Sequence, residues 1–166
     1  MPASDQGVDK RRYQFIPRVL VFLTRGEEVL LIKRAADKKV FPNQYNGLGG
    51  HVEKGESVLA AARREVEEES GLIPKDLWLC AVVAIDTGDA DAGIVMWVFR
   101  GEATGEPTAS AEGEISWMPI SKIGDLEMVE DIPTLLPKVL GMKHDDAPLW
   151  GMYVYDETGN LETSFE

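Results

Sequence analysis

The segment from residue 57 to residue 71 constrains the fold more than any other, because its sequence specifies an amphipathic helix and the point where that helix ends. Its apolar side chains recur at helical spacing and form a single stripe, made of Val58, Leu59, Ala62 and Val66. Gly71 stands where a helix takes a left-handed C-terminal cap, a conformation that glycine adopts without steric cost. The sequence therefore predicts a helix from Ser57 to Ser70 that packs through one side on the rest of the chain.

The segments on either side of this helix are rich in β-branched and aromatic residues, a composition typical of strands. The polar stretch AADKKVFPNQYNGLGG, just before the helix, instead predicts an irregular loop, because the glycines at 49 and 50 favour tight turns. Four segments are long enough to form strands: residues 15–24 and 29–34, joined by the turn RGEE into a β-hairpin, and residues 77–86 and 93–103.

The C-terminal part predicts three more elements: a short strand in EISWMPI, a helix in residues 129–140 that begins near Pro133, and a last strand in LWGMYVYD. No internal repeat or linker divides this series. The length of 166 residues and the hydrophobic content of 44% favour a single domain with one buried core. We therefore expect an α/β fold in which helices pack on a mixed β-sheet.

Composition argues against several classes of function. The formal net charge of −12 argues against polymeric nucleic acid as a partner, because binding a phosphate backbone requires clustered Lys and Arg. No run of about 18 apolar residues predicts a membrane span, and the polar start MPASDQGVDKRR does not resemble a secretory signal. We therefore expect a cytoplasmic protein without a membrane partner. Cys80, the only cysteine, lies in an apolar stretch and is expected to be a core thiol.

The predicted helix carries a high concentration of acid. Glu65, Glu68 and Glu69 lie at positions i, i+3 and i+4 and therefore share one face. Like charges at this spacing destabilise a helix by roughly 0.2–0.5 kcal/mol per pair unless cations neutralise them. A solvated acidic surface is the competing interpretation, and Glu67 fits it. The shared face predicts a site for hard divalent cations such as Mg²⁺ or Mn²⁺, which prefer carboxylate oxygens.

These acids belong to a longer pattern of fixed spacing. Its members are Gly50, then five residues, Glu56, seven residues, Arg64, Glu65, Val66, one residue, Glu68, Glu69, one residue, Gly71 and Leu72. The pattern matches the signature of the Nudix hydrolases at every position, so the chain resembles that family. The resemblance implies a Nudix α/β/α sandwich, with a flexible N-terminal tail at residues 1–12 and a single Nudix domain at 13–166. It also implies a hydrolase that cleaves the phosphoric anhydride bond of a nucleoside diphosphate linked to another group.

The resemblance further implies roles for the residues of the pattern. The three glutamates of the shared face would bind the divalent ions, helped by a carbonyl at Gly49. Arg64 and Glu56 would brace the loop and the helix. Bound ions would activate a water molecule, screen the phosphate charge and align the attack at phosphorus. Glu65 is our first choice for the general base, but family members also use an acid on a later loop.

A further metal-binding acid is implied at Glu112. It lies five residues before Trp117, the spacing at which similar oxidised-purine nucleotide hydrolases place such a residue. Glu114 is the alternative. For both residues, an ordinary acid on a surface loop is the competing interpretation.

The segments around the pattern resemble oxidised-purine nucleoside triphosphate diphosphatases. Asn46, in YNGLGGHV, matches an asparagine that hydrogen-bonds the purine, and its amide both donates and accepts. Asp131, in MVEDIPTLLPKVL, matches an aspartate that reads the purine, although Val129 and Ile132 stand where the human-type enzymes have Trp and a second Asp. The competing interpretations are a turn residue for Asn46 and a helix N-cap for Asp131.

Arg34, in LLIKRAAD, matches an arginine of MutT proteins that contacts phosphate, and Lys33 is a second candidate for that contact. The end of an edge strand is the competing interpretation. We therefore expect a monomeric or homodimeric enzyme that hydrolyses a small-molecule nucleotide, an 8-oxo-dGTP-like triphosphate, to the monophosphate and pyrophosphate. The alternatives are another substrate, such as a dinucleoside polyphosphate, ADP-ribose or a nucleotide sugar, and a non-catalytic nucleotide-sensing domain.

Overall fold

The computed structural model describes residues 2–108 and 110–166, and in these residues strands alternate with two α-helices. The helices are α1 (Val58–Ser70) and α2 (Ile132–Gly141), and short 3-10 helices lie at Ala3–Gln6 and Ile120–Asp125. None of these helices is long and apolar enough to cross a membrane. The strands are β1 (Gln14–Arg25), β2 (Glu28–Arg34), β3 (Tyr45–Asn46), β4 (Leu48–His51), β5 (Lys75–Ile85), β6 (Ala92–Glu102), β7 (Gly113–Pro119), β8 (Leu149–Tyr155) and β9 (Leu161–Phe165).

The strands form one mixed sheet in the order β3-β2-β1-β6-β5-β8-β9, with β4 paired to β1 and β7 paired to β2. On one side, β1 runs parallel to β6 along its whole length. On its other side, β1 pairs with β2 only beside the hairpin turn, at Thr24 and Arg25, and then pairs with β4 from Arg18 to Val21. The ends of β1 and β2 that lie far from the turn therefore have different partners, and the candidate site lies at these ends.

Each face of the sheet is covered by one helix. Side chains alternate along β1, so that Leu20 and Phe22 pack in the core under α2, whereas Val19, Val21 and Leu23 pack in the core under α1. The core under α1 receives Ala61, Ala62 and Val66 from that helix, and the core under α2 receives Ile132, Leu135, Leu136 and Val139. This arrangement is the α/β/α sandwich with a mixed sheet that the sequence predicted.

Most predicted elements are present within a few residues of their expected ends. These are the hairpin, the helix that ends at Ser70, the two long strands, the strand in EISWMPI, the second helix and the strand in LWGMYVYD. Cys80 is buried in the core under α2, and burial raises the pKa of its thiol to about 12. The predicted N-terminal tail begins at Met1, which lies outside the described residues, and the flexibility of that tail stays a prediction.

Two predictions about local structure were wrong. Residues 45–46 and 48–51, predicted as loop, are strands β3 and β4. Their glycines permit close packing rather than turns: a Cβ on Gly49 would overlap the carbonyl oxygen of Val19 in the neighbouring strand. The strand in LWGMYVYD is also not the last one, because β9 follows the turn after it. β9 lies at the edge of the sheet with no fully buried residue, so its sequence LETSF lacks the apolar signal of a core strand.

Both ends of α1 are capped by residues whose chemistry suits the position. The Ser57 hydroxyl oxygen accepts a hydrogen bond from the Ala60 N–H, and the Gly71 N–H donates to the Glu67 carbonyl at 2.9 Å. Gly71 adopts a left-handed conformation with φ of 70°, and a Cβ there would lie 2.8 Å from the Thr108 hydroxyl oxygen. The glycine that ends the helix is therefore required by backbone conformation and by packing.

Replacing Gly71 with alanine should lower the free energy of unfolding by about 1–2 kcal/mol, the cost of a side chain in the left-handed region. Urea denaturation measures this loss. The control is Gly124→Ala, because Gly124 lies outside the left-handed region and a Cβ there would have no neighbour within 4 Å. An equal loss of stability in both variants would show that the cap conformation is not the cause.

Candidate active site

A cleft of about 680 Å³ lies where the far ends of β1 and β2 meet β4 and the acidic face of α1. Carboxylates, guanidinium groups and an apolar wall line this cleft, and the apolar wall includes Leu20, Val40, Phe41 and Met96. The charged side chains that face it are Glu65, Glu68 and Glu69 of α1, Glu112 before β7, Glu53, and the two arginines Arg18 and Arg34. The three glutamates that were expected to share a face are thus brought together at one cavity.

Glu69 is the most buried of these acids, with 9% of its surface exposed. Its Oε2 accepts a hydrogen bond from the Gly49 N–H at 2.9 Å. Burial is the main cause that raises the pKa of Glu69 to about 7; the Gly49 N–H lowers this pKa, the charges of Glu65 and Glu112 raise it, and Arg34 lowers it. The Gly49 contact shown here is made by its N–H, whereas the sequence resemblance implied a role for its carbonyl.

Glu65 lies directly against the backbone of β4. A Cβ added to Gly50 would lie 2.6 Å from the carboxyl carbon of Glu65, and it would overlap a carboxylate oxygen. Only a glycine at position 50 therefore leaves room for the carboxylate where it lies. The first glycine of the Nudix pattern and its first helical glutamate are in this way coupled by packing.

Arg64 connects the acidic helix to the loop that precedes it. Its guanidinium contacts Glu56 through two hydrogen bonds, Nη2 to Oε1 at 2.7 Å and Nε to Oε2 at 3.1 Å. Nη1 donates to Glu65 at 2.9 Å and to Glu68 at 3.1 Å, and Nη2 also donates to the His51 carbonyl at 3.0 Å. The Arg64 guanidinium lowers the pKa of Glu56, and its hydrogen bonds with the glutamates raise its own pKa. The loop and helix are held in one geometry by this side chain.

The donor chemistry of the cleft fits a hard divalent cation. Carboxylate oxygens are the ligands that such ions prefer, and the mutual repulsion that helps to raise the pKa of Glu69 is the cost that a cation would remove. Within the part of the chain that the structure describes, no three acidic, histidine or cysteine side chains converge closely enough to hold one ion. Glu65 and Glu68 instead share the Arg64 guanidinium, and Glu69 is directed to Gly49.

The candidate residues outside the helix differ in their placement. Arg34 lines the cleft, and its Nε donates to the Val40 carbonyl at 2.9 Å. Glu112 also lines the cleft and forms an ion pair with Lys38 at 2.8 Å. Lys33 lies elsewhere, with its Nζ 5.8 Å from the centre of the Tyr45 ring. Glu114 is exposed on β7, and neither it nor Lys33 is among the described residues that line the cleft.

The two residues expected to read a purine are on neighbouring segments. Asn46 lines the cleft, and its Oδ1 accepts a hydrogen bond from the Gly47 N–H at 2.8 Å. Asp131 stands at the N-cap position of α2 but makes no side-chain capping hydrogen bond. Burial raises its pKa to about 6. Hydrogen bonds between Tyr45 and the backbone of residues 127 and 129 hold the segment before Asp131 beside β3, although Asp131 itself does not line the cleft.

Sequence reasoning missed several residues of the cleft, of which Arg18 and Phe41 carry chemistry, and it missed Lys38, which forms an ion pair with the cleft residue Glu112. Arg18 had a usable signal, because it is the one charged residue inside the apolar strand segment FIPRVLVFLT. Phe41 had none: it stands in a polar loop and lines the cleft with a left-handed φ of 51°. Its position depends on the fold of the whole loop.

Comparison with known proteins agrees with this fold. The family model of the NUDIX domain matches residues 14–139. An oxidized purine nucleoside triphosphate hydrolase of Danio rerio is 34% identical over 101 residues, which cover 60% of this chain and 65% of that protein. The NAD-capped RNA hydrolase NudC of Stutzerimonas stutzeri is 45% identical over 56 residues, 34% of this chain and 19% of that protein. The chain thus spans less than two thirds of the length of either relative.

The fold has a solved counterpart over nearly its full length. The crystal structure of a mutator MutT protein from Bacillus halodurans superposes with a TM-score of 0.76 and 23% sequence identity, covering 92% of this chain and 98% of that one. The chain belongs to the Nudix family.

The raised pKa of Glu69 predicts how the stability of the metal-free protein depends on pH. Unfolded, a glutamate titrates near about 4.3, so between that pH and about 7 the folded protein keeps a proton that the unfolded chain releases. The contribution of Glu69 to the free energy of unfolding is fully present below this pH range and is lost as pH rises through it. Between pH 5 and 8 the free energy of unfolding of the wild-type protein should fall by on the order of 3 kcal/mol because of Glu69, and Glu69→Gln should not show this fall. Urea denaturation in EDTA at several pH values measures the difference.

Asp131 also has a raised pKa, so the free energy of unfolding of wild type and of Glu69→Gln depends on pH through Asp131 to a similar extent. The difference between the two proteins therefore isolates the contribution of Glu69. Glu67→Gln is the matched control, since Glu67 is exposed and does not line the cleft. It should keep the wild-type pH dependence. If Glu69→Gln also keeps it, Glu69 is not the group that titrates.

Proposed function

We propose that this protein hydrolyses oxidised purine nucleoside triphosphates, such as 8-oxo-dGTP, to the nucleoside monophosphate and pyrophosphate, with Mg²⁺ or Mn²⁺ as cofactor. The observation that carries the proposal is the presence in one cleft of five carboxylates, two arginines and the aromatic ring of Phe41. A metal-bound polyphosphate with a planar base matches all three groups. The similarity to the oxidized purine nucleoside triphosphate hydrolase of Danio rerio supports this substrate class.

At the phosphate end, the divalent ion would be held by Glu65, Glu68, Glu69 and Glu112, once these side chains turn toward it from their present partners Arg64, Gly49 and Lys38. When bound, it would lower the pKa of a water molecule, screen the phosphate charge and align the attack at phosphorus. Arg34 binds a phosphate oxygen, for which its planar guanidinium is suited. Glu65 accepts the proton of the attacking water, and Arg64 positions that carboxylate through its hydrogen bond at 2.9 Å. The water oxygen bonds to phosphorus as the anhydride bond between the α- and β-phosphates breaks, and the products are the monophosphate and pyrophosphate.

At the base end, Phe41 stacks on the purine and Asn46 hydrogen-bonds its edge. The Asn46 carbonyl oxygen is already used by the Gly47 N–H, so the amide nitrogen is the group that donates to a purine oxygen. Asp131 is the second candidate for reading the purine. Its raised pKa, about 6, keeps a fraction of this carboxyl protonated near neutral pH, so that it both donates and accepts.

A substrate panel tests the function. The rate of hydrolysis with Mg²⁺ is measured for 8-oxo-dGTP, dGTP, a diadenosine polyphosphate, ADP-ribose and NAD-capped RNA, and the products are separated by ion exchange. We expect kcat/KM for 8-oxo-dGTP to exceed that for dGTP by roughly tenfold or more, with pyrophosphate as a product. Preference for ADP-ribose, together with equal rates for 8-oxo-dGTP and dGTP, would assign the cleft to another nucleotide derivative. No hydrolysis of any substrate would favour a sensing role.

The helix offers a matched pair of variants for the metal site. Glu68→Gln removes a carboxylate that faces the cleft, and Glu67→Gln removes its exposed neighbour. We expect Glu68→Gln to lower kcat/KM by roughly 100-fold or more with the thermal midpoint nearly unchanged, because it weakens the hold on the ion. Glu67→Gln should retain activity. Undiminished turnover by Glu68→Gln would refute the assignment of metal ligands.

A further inference from the structure

Arg18 is a half-buried cation in the cleft that no group of the described residues neutralises. It lies on β1, in register with His51 of β4 on one side and Met96 of β6 on the other. Its Nε is buried and has no hydrogen-bond partner, and no ion pair is formed by Arg18 among the described residues. The other buried side-chain atoms without a partner belong to Gln44 and Tyr153, which are uncharged and do not line the cleft.

This placement costs stability. A charged group that leaves water loses hydration energy, and a hydrogen-bonded partner of opposite sign normally compensates the loss. Arg18 has instead Arg34 as a charged neighbour, and both burial and the charge of Arg34 lower the pKa of Arg18. The chain has 29 acidic residues, yet none of the described ones forms an ion pair with Arg18. A half-buried guanidinium in a cleft, with a buried Nε that has no partner, points to a ligand rather than to a structural role.

The chemistry of the ligand follows from the two arginines together. A neutral acceptor, such as the edge of a base, would satisfy one N–H but would leave the repulsion between Arg18 and Arg34. A phosphate group satisfies the unpaired N–H groups, because its oxygens accept several hydrogen bonds from a guanidinium. It also relieves the repulsion, because its negative charge offsets two cations. The terminal phosphate of a triphosphate carries more charge and more free oxygens than a phosphate that is bonded on both sides.

We infer that Arg18 is a substrate-binding residue whose guanidinium, together with that of Arg34, binds the terminal phosphate of a nucleoside triphosphate. The cleft therefore favours substrates that end in a free phosphate over dinucleotides and nucleotide sugars, in which that phosphate is capped. This inference deepens the proposed function and rests on it for the substrate class. Arg18 is a specificity-determining residue, and the reaction at phosphorus does not require it as an acid or base.

Inorganic tripolyphosphate is the direct probe, because it carries the phosphate chain without a base. Calorimetric titration into the Mg²⁺-loaded protein should show affinity roughly 10- to 100-fold lower for Arg18→Gln than for wild type, as expected for lost hydrogen bonds between charged groups. Arg18→Lys should recover part of the loss. Arg12→Gln, the same change of charge at an exposed residue outside the cleft, should bind like wild type. Equal affinities of Arg18→Gln and wild type would overturn the inference.

Two further readouts separate this role from others. Arg18→Met should melt at the wild-type temperature or above it, because it removes an unpaired cation, and a lower melting temperature would indicate a structural role. In the substrate panel, Arg18→Gln should lose activity more on the triphosphate than on the diadenosine polyphosphate. If it instead changes only the ratio between 8-oxo-dGTP and dGTP, Arg18 reads the base and the inference is wrong.

Failure of the inference and failure of the proposed function are distinguishable. The tripolyphosphate titration contains no nucleotide, so its result holds whichever base the wild-type enzyme prefers. A wild-type protein that prefers another nucleoside triphosphate would overturn the proposed base and leave the Arg18 assignment intact. If the wild-type enzyme prefers 8-oxo-dGTP but Arg18→Gln binds tripolyphosphate as tightly as wild type, the proposed function stands and the Arg18 assignment is wrong.

Discussion

The hydrogen bonds of the Arg64 guanidinium are the interaction on which the geometry of the cleft depends. They reach the His51 carbonyl at the end of β4, Glu56 in the loop that follows, and Glu65 and Glu68 in the helix. An arginine suits this position because its N–H groups form a rigid, planar fork and because it stays charged when partly buried. Without it, the carboxylates of α1 would repel one another and the loop from 51 to 56 would lose its main contact with the helix. The same side chain thus supports both the fold of the loop and the orientation of the acids.

The sequence was informative where the structure is local. The helical stripe, the C-terminal glycine and the spacing of the glutamates depend on contacts within one or two turns, and those predictions agree with the structure of α1. The sandwich could also be predicted, because alternation of apolar segments with one amphipathic helix leaves few ways to bury both. The glycines at 49 and 50 were misread because their role is not local. They admit the Val19 carbonyl and the Glu65 carboxylate, groups from distant parts of the chain.

The remaining residues of the site could not be predicted from their own neighbourhoods. Arg18 enters the cleft because β1 leaves β2 and pairs with β4, and no feature of the segment FIPRVLVFLT specifies that exchange of partners. Glu112 was found by its distance from Trp117, but its ion pair with Lys38 joins two loops that are far apart in sequence. Lys33 and Arg34 are adjacent in sequence, yet only Arg34 lines the cleft, because successive side chains of a strand point to opposite faces.

The charges that line the cleft make the binding of a polyphosphate depend on the binding of a metal ion. On the helix side, burial and, to a smaller extent, repulsion from Glu65 and Glu112 raise the pKa of Glu69, so the metal-free site favours a proton there. On the strand side, the charge of Arg34 helps to lower the pKa of Arg18, so that site favours an anion. The net charge of −12 would repel a free polyphosphate, and the carboxylates alone would repel it most strongly at short range. A bound divalent cation would reverse the sign of the charge on the helix side, and both walls would then attract phosphate. The cleft is therefore suited to bind a metal and a polyphosphate together more tightly than the polyphosphate alone, and its acidic surroundings disfavour phosphorylated ligands that arrive without a metal.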